Sequence, residues 1–407
     1  MPARLRVALV TPDLSRLGGV ERVVAIAARS LTKRGHEVTV LTESPPGDVT
    51  ERQALPVGLF SESRDLLPHW ARKSEMARAA RIISERADLV DFHRAVSTSL
   101  LRRLSATMAT VVTVHAPEMT CPAGTRYLPR SDTLCEHTPG LNCWNTDRRE
   151  GCMVLGDGAP FGWKSRVRTL FRTGLARRAS QWAGCMVFNS NATRDQFSRF
   201  VGAPACGRVI PEPLEEQPHS ARPRERGRLI FVGRLVAVKG GIDAISVAAA
   251  IPKGSLDIVG EGPQRPLLEQ HAASLGVEKR VTFHGWKSTG EVARLMSGAM
   301  CMLVPSHWFE AWGMVGPEAI AQGCPVVAYD SGGIREWCLP RYGTVVPHGD
   351  IQAMTAAARE WMSRMQGGFD TSVWHAEAHQ LWGEARYVEQ YTEAAQAALQ
   401  AFQKKRR

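Results

Sequence analysis

Residues 228–262 read RLIFVGRLVAVKGGIDAISVAAAIPKGSLDIVGEG. The apolar run at 228–233 predicts a strand, 241–250 a helix, and 255–260 a second strand. That is a β-α-β unit, the building block of a parallel sheet. The rhythm continues downstream. Strands are expected at 280–284, 300–304, 325–329 and 343–346. Helical segments are expected at about 264–275, 289–298, 316–322 and 350–364. Alternation of this kind predicts a doubly wound parallel sheet, which binds ligands at the carboxyl edge of its strands.

Upstream, the same architecture is used a second time. Residues 5–10 read as a strand and a turn runs to Gly18-Gly19. Val20, Val23, Val24, Ala27 and Leu31 then recur at helical spacing. Gly35 stands where a helix end favours a left-handed residue, and 37–42 alternates as the next strand. Further strands are expected at 89–93, 110–115 and 185–189. Between the last two lies an irregular insertion at about 117–160. Residues 209–227 carry Pro211, Pro213, Pro218 and Pro223 among charged residues, a linker composition. The expected plan is therefore α/β with two Rossmann-like domains. They are a first domain over 1–208, a linker over 209–227 and a second domain over 228–376. A helical tail over 377–407 is expected to cross back to the first domain.

The 407 residues are enough for two full cores. No apolar run reaches the ~18 residues that span a bilayer. Arg4 and Arg6 followed by Val7–Val10 resemble a signal peptide too briefly, with Asp13 and the glycine pair where a cleavage site belongs. A cytoplasmic protein is expected, with the inner face of the cytoplasmic membrane as an alternative site of action. The formal net charge is +11. Nucleic acid, an anionic membrane or a polyanionic small substrate would each suit it. No nucleic-acid-binding motif stands out, so no nucleic-acid partner is expected.

Three groups of residues carry chemistry. Gly18 and Gly19 lie between a strand and a helix, where backbone can approach an anion closely; a plain tight turn would look the same. The G-x-G-x-x-G of nicotinamide-cofactor enzymes is absent. Arg234 and Lys239 fall at the carboxyl edge of the second sheet. Together they can neutralise a diphosphate, the one as a planar fork and the other as a point charge. A solvated basic loop is the plainer alternative. The third group is Pro305-Ser306-His307-Trp308-Phe309-Glu310-Ala311-Trp312-Gly313-Met314-Val315-Gly316-Pro317-Glu318. Glu310, on a loop above the sheet, suits acceptance of hydrogen bonds from sugar hydroxyls. Glu318 falls in the first turn of a helix that Pro317 is placed to open, where ordinary capping electrostatics could also explain it. Free amides near Gly313, Met314 and Val315 could hold phosphate oxygens.

In chain order the sequence carries Gly18-Gly19-Val20-Glu21, then Gly233-Arg234 and Lys239-Gly240. Val259-Gly260-Glu261-Gly262-Pro263 and Phe283-His284-Gly285 follow, and last the Glu310/Glu318 pair with seven residues between them. This order resembles the GT-B glycosyltransferases of family 4, over about 5–395. The resemblance implies transfer of a sugar from a nucleoside diphosphate sugar, UDP-linked or alternatively GDP-linked, with retention of anomeric configuration and no catalytic metal. No Asp-x-Asp occurs in the chain. It implies that Glu310 binds the donor sugar, Glu318 the ribose, and Arg234 and Lys239 the diphosphate. Gly18, Gly19, Gly262 and His284 would belong to the donor site, and His115 would lie near the reacting sugar. A strand-end histidine satisfied in the core is the plainer reading of His115. The acceptor would be a glycan, a lipid-linked sugar or a small molecule, in bacterial glycan, lipopolysaccharide or natural-product biosynthesis. Phosphorylase, epimerase and non-catalytic binding-module readings remain as alternatives. Ala311 departs from a frequent proline and Glu212 from a usual asparagine; neither position is expected to carry chemistry.

Nine cysteines fall into two groups. Cys185, Cys206, Cys301, Cys324 and Cys338 are scattered and expected as small buried apolar side chains. Cys121, Cys135, Cys143 and Cys152 lie in the insertion, with His137 as a spare ligand. Four thiolates suit a structural zinc or an iron–sulfur cluster; disulfides or free thiols are the alternatives. Residues 163–178 put Trp163, Val167, Leu170, Phe171 and Leu175 on one face and basic residues on much of the rest. That suits either a helix packed on the first sheet or a peripheral membrane contact.

Overall fold

The computed structural model describes residues 4–11, 19–42, 52–54, 69–93, 98–153, 162–163, 166–167, 178–218 and 223–407. In the first half the strands are β1 (Arg6–Val10), β2 (Glu37–Thr42), β3 (Arg52–Ala54), β4 (Leu89–His93) and β5 (Ala109–Val114). A two-stranded hairpin follows, β6 (Tyr127–Leu128) and β7 (Thr133–Leu134), and then β8 (Cys185–Phe188) and β9 (Gly207–Val209). All but the hairpin form one seven-stranded sheet in the order β3-β2-β1-β4-β5-β8-β9. Its pairings are parallel, with Val7 against Val38 on one side and Leu89 on the other. Strands β4, β5 and β8 are buried along their whole length. Such continuously apolar strands arise where helices cover both faces of a sheet.

The second half supplies β10 (Arg228–Val232), β11 (Ser255–Val259), β12 (Val281–Gly285), β13 (Cys301–Val304), β14 (Val326–Tyr329) and β15 (Gly343–Val346). They form a six-stranded parallel sheet in the order β12-β11-β10-β13-β14-β15. In both sheets the first strand lies between the second and the next to cross over. This creates a crevice at the carboxyl ends of β1 and β10, the switch point where such folds bind ligands. The second core is aromatic. Trp337, Trp361, Tyr329 and Tyr342 are fully buried, and each hides on the order of 150–250 Å². Strand and helix ends in this half fall within two residues of those expected from the sequence.

Differences from expectation lie mainly elsewhere. The tail is two helices, Trp374–Trp382 and Glu384–Arg406. Gly383 separates them, and a Cβ there would meet the His379 carbonyl at 2.3 Å. The linker residue Leu214 bridges to Gly383 and donates its amide to the Trp382 carbonyl. The longer helix then packs on β5, β8 and the Gly19–Lys33 helix of the first half. Cys185 and Cys206 are not two free apolar side chains; they form a disulfide. Strand pairing is the reason. Met186 stands opposite Gly207 in the parallel register of β8 and β9, which sets their preceding residues side by side. The expected amphipathic stretch at 163–178 lies largely outside the described residues, as does Gly18. No helix among the described residues is long and apolar enough to cross a membrane.

Candidate active site

The centre of the site is Glu310, on the loop between β13 and the Val315–Ala321 helix. It is 5% exposed. One carboxylate oxygen accepts from Lys239 Nζ and from Ser306 Oγ, the latter at 2.9 Å. Burial pushes this carboxyl up; the Lys239 ammonium and the hydroxyl outweigh it and hold it below the usual carboxylate range. Glu310 is therefore a buried, ionised acceptor. The backbone is fixed as firmly as the side chain. The Gly333 amide donates to the Glu310 carbonyl at 2.8 Å, and Gly332 approaches so closely that a Cβ would lie 2.0 Å from that oxygen.

The cations come from the loop after β10. Lys239 ends a short 3-10 turn, Ala237–Lys239, whose cap Gly240 is left-handed (φ 71°). A side chain at Gly240 would meet the Pro305 carbonyl at 1.9 Å, so the glycine lets Lys239 reach the Glu310 loop. Lys239 Nζ also lies 4.5 Å from the centroid of the Trp308 ring. Arg234 is exposed and makes no ion pair among the described residues. Gly262 serves this loop through the backbone. Its own Cβ would lie 2.4 Å from the Leu235 carbonyl, and the Leu235 amide donates to the Glu261 carbonyl. Gly313 (φ 83°) turns the chain into the next helix. Met314 and Val315 open that helix, where no carbonyl of the preceding turn can accept from their amides.

Glu318 sits in the same helix but is paired from the other half of the molecule. Arg22, on the Gly19–Lys33 helix, approaches Glu318 Oε1 at 2.7 Å and Glu215 Oε2 at 3.5 Å. Glu318 raises the Arg22 pKa against the opposing effect of burial. Arg22 follows directly on Gly18-Gly19-Val20-Glu21, and the sequence reading passed it over. A cavity of about 290 Å³ opens beside this pair, lined among others by Val232, Trp286, Lys287, Val292 and Met296. His284 does not line it. Its Nε2 is held 2.7 Å from Asp257 Oδ1 on the neighbouring strand. Gly285 is left-handed (φ 68°) and breaks the strand alternation after His284. The residue brought to the cavity is Trp286, two positions on and 66% exposed.

His115 follows β5 and is buried. Its Nε2 lies 2.8 Å from His93 Nδ1 and its Nδ1 lies 3.2 Å from Glu212 Oε1. Glu212 also accepts from Asn189 Nδ2 at 3.1 Å. Both ring nitrogens are thus engaged within the protein, as in the plainer reading of this histidine. Glu212, expected to carry no chemistry, is a direct partner of His115. Gly19 begins its helix with open space at the Cβ position.

The two halves meet around the Glu310 loop at further points. Glu336 accepts from the Asn191 and Ala192 amides, each at 2.9 Å, and from Asn191 Nδ2 at 2.8 Å. It thereby serves the open amides at the start of the Asn191–Val201 helix. The insertion reaches the same loop, its Thr125 carbonyl accepting from the Phe309 amide at 2.9 Å. Within the insertion, Cys121, Cys135, Cys143 and Cys152 come near enough to influence one another. Burial, then Cys121, Asp147, Cys135 and Cys143, push the free Cys152 thiol up to about 12. The Arg126 amide donates to Cys121 Sγ at 3.4 Å, and its guanidinium donates to the His137 carbonyl at 2.7 Å.

Two family models match the chain in succession. The model described as Glycosyltransferase Family 4 covers residues 17–217, and that described as Glycosyl transferases group 1 covers residues 214–366. A 2-deoxystreptamine N-acetyl-D-glucosaminyltransferase of Streptomyces fradiae is 25% identical, over 85% of this chain and 83% of that protein. A GDP-mannose-dependent alpha-(1-6)-phosphatidylinositol monomannoside mannosyltransferase of Mycolicibacterium smegmatis is 30% identical, over 51% of this chain and 59% of its own length. Among solved structures, Anabaena Alr3699/HepE in complex with UDP-glucose superposes with a TM-score of 0.66 at 18% identity, covering 97% of this chain and 100% of that one. With one family model on each half and the same two-sheet fold over the whole length, the chain is a GT-B glycosyltransferase similar to those of family 4.

Proposed function

We propose that the protein is a retaining glycosyltransferase that takes its sugar from a nucleoside diphosphate donor, UDP-linked in preference to GDP-linked. The observation that carries this reading is the buried Glu310–Lys239 pair, on the loops after β13 and β10; the first leads into the helix whose Glu318 borders the cavity and the second also carries the exposed Arg234. A base and ribose fit the cavity, with Trp286 as a flat apolar wall and the Glu318 carboxylate as acceptor for ribose hydroxyls. Sugar hydroxyls donate to Glu310, which is ionised and cannot serve as an acid. The diphosphate lies toward Arg234, Lys239 and the opening amides of the Val315–Ala321 helix. Fixed positive charge at the leaving group stabilises the transition state more than the ground state. Among the described residues no carboxylate is placed as a nucleophile, so a front-face displacement is proposed. The acceptor hydroxyl attacks the anomeric carbon as the bond to the leaving phosphate breaks, and that phosphate takes the hydroxyl proton.

The UDP preference is supported by the UDP-glucose complex of the Anabaena protein, and the GDP alternative by the mannosyltransferase. The acceptor is proposed to be a hydroxyl of a glycan, lipid-linked sugar or small molecule bound by the first half. The four insertion cysteines are proposed to hold a structural zinc or iron–sulfur cluster, because a loop poor in core formers gains fold energy from metal–thiolate bonds. Elemental analysis should then find metal that survives brief EDTA and is lost with Cys135→Ser. The function is tested by screening UDP-, GDP- and dTDP-sugars for binding and, with the donor found, reading the product's anomeric configuration by NMR. An inverted product would overturn the proposed displacement.

A further inference from the structure

One cluster lies outside the proposed donor contacts, at the junction of the insertion and the second sheet. Asp132, from the β6–β7 hairpin, meets His307, His348, Asp243 and Tyr329 of the second half. The four second-half residues all belong to the carboxyl edge of that sheet. His307 follows β13, Tyr329 ends β14, His348 follows β15, and Asp243 lies in the first turn after Gly240. Asp132 Oδ1 stands 2.7 Å from His307 Nδ1, 3.4 Å from His348 Nε2 and 2.7 Å from the Tyr127 hydroxyl. One oxygen therefore collects two imidazoles and a phenol. The other ring nitrogen of His307, Nε2, is 3.0 Å from Asp243 Oδ2, which also accepts from the Tyr329 hydroxyl at 2.7 Å.

This arrangement has a charge requirement. A neutral imidazole has one N–H and one lone pair. If His307 donates through Nε2 to Asp243, its Nδ1 lone pair faces a carboxylate oxygen at hydrogen-bond distance. Something positive must stand between them, either a proton on Nδ1 or a metal ion. The second imidazole supplies a third ligand atom, which a proton does not need and a metal ion does. His348 Nε2 converges on the same oxygen, and the three ligand atoms lie within 4.8 Å of one another. The surroundings match the second shell of a metal site, in which a ligating histidine donates its far N–H to a carboxylate and the ligating carboxylate is itself hydrogen-bonded. Here Asp243 and the Tyr127 hydroxyl fill those roles. Asp132 is half exposed, so its side chain can withdraw by the few tenths of an ångström that an intervening ion needs.

We infer that Asp132, His307 and His348 form a binding site for a divalent transition metal of the zinc, cobalt or nickel class, joining the insertion to the second domain. Imidazole and carboxylate ligands suit those ions. His307 is three residues before Glu310, so the ion ties the insertion to the loop that carries the proposed sugar contact. The site is separate from the four cysteines and from the proposed donor ligands.

The test is a cobalt titration of the full-length protein after brief EDTA, which leaves any tightly held thiolate metal in place. The inference expects about one saturable equivalent of Co²⁺ per chain at a three-ligand site. Its visible bands should come without a thiolate-to-cobalt charge-transfer band. Asp132→Asn and His348→Gln should each abolish that equivalent while leaving the circular dichroism spectrum unchanged. Asp243→Asn should weaken binding about 10–100-fold, as loss of a second-shell partner does. Asp132→Asn is isosteric and lies on a half-exposed hairpin, so it keeps the test usable if the histidine variant misfolds. No saturable cobalt binding would overturn the inference and leave a proton in the gap. So would an equivalent that carries the thiolate band, or one indifferent to Asp132→Asn.

Discussion

The two glutamates of the motif are both neutralised, from different directions. Glu310 is paired within its own domain, by Lys239 on the loop after β10. Glu318 is paired from across the cleft, by Arg22 on the first helix of the other half. The environments differ accordingly, with Glu310 almost sealed and the Glu318 and Arg22 side chains 17% and 22% exposed. The contrast separates a part of the site that is assembled before the domains meet from a part that their meeting completes. It also predicts which substitutions act on folding and which on closure.

The largest effect should come from Lys239→Ala. It leaves Glu310 buried without its cation, and breaking such a pair costs on the order of 3 kcal/mol of stability. Thermal unfolding and turnover should both suffer. Arg234→Ala comes next. Arg234 is exposed and makes no ion pair among the described residues. The melting temperature should hold while turnover falls by about 10²–10³, the usual loss on removing one charge-stabilising donor. An Arg234→Ala enzyme with normal turnover would remove the diphosphate clamp. Arg22→Ala should cost less stability than Lys239→Ala, because the Glu318 it leaves behind is less deeply buried than Glu310. Its signature should be a more open molecule in small-angle scattering and a raised KM for donor. If it destabilised the protein as much as Lys239→Ala, the division between the two glutamates would fail.

The smallest effect concerns pH. The Glu310 carboxyl is held below its ordinary value of 4.5. A group depressed in the folded state stabilises fully above the unfolded value and loses that contribution as pH falls through the folded one. The stability gap between wild type and Glu310→Gln should be complete above pH 4.5 and should shrink only below it. A gap that narrows between pH 7 and 5 would place Glu310 in a different environment.

The same contrast runs through what the sequence made legible. The second sheet was read almost strand for strand because its strands are continuous apolar runs punctuated by glycines, each with a local cause. Gly240 and Gly262 are required by carbonyls 1.9 and 2.4 Å from where a side chain would start. Arg234, Lys239, Glu310 and Glu318 stand out through local order along one chain segment. Contacts that depend on the two halves coming together left no such trace. Nothing near Arg22 names Glu318, 296 positions away by subtraction of their numbers. Asp132 carries no mark of His307, and Glu336 none of the Asn191–Val201 helix that it caps. The Cys185–Cys206 bond was missed for a related reason, because β9 is a three-residue strand too short to show a pattern. Glu212 reads in the sequence only as a departure from a familiar motif; its contact with His115, 97 positions away by subtraction, needs the fold.

The central claim, that a nucleoside diphosphate sugar binds in the second half and closes the first upon it, is tested most directly by hydrogen–deuterium exchange. The full-length protein would be measured with and without each of a panel of UDP-, GDP- and dTDP-sugars. The account predicts that at least one donor, with UDP-sugars foremost, slows exchange at 234–240, 286–292 and 310–318, and with them at the start of the Gly19–Lys33 helix. Protection confined to the first half, or no protection by any member of the panel, would contradict it.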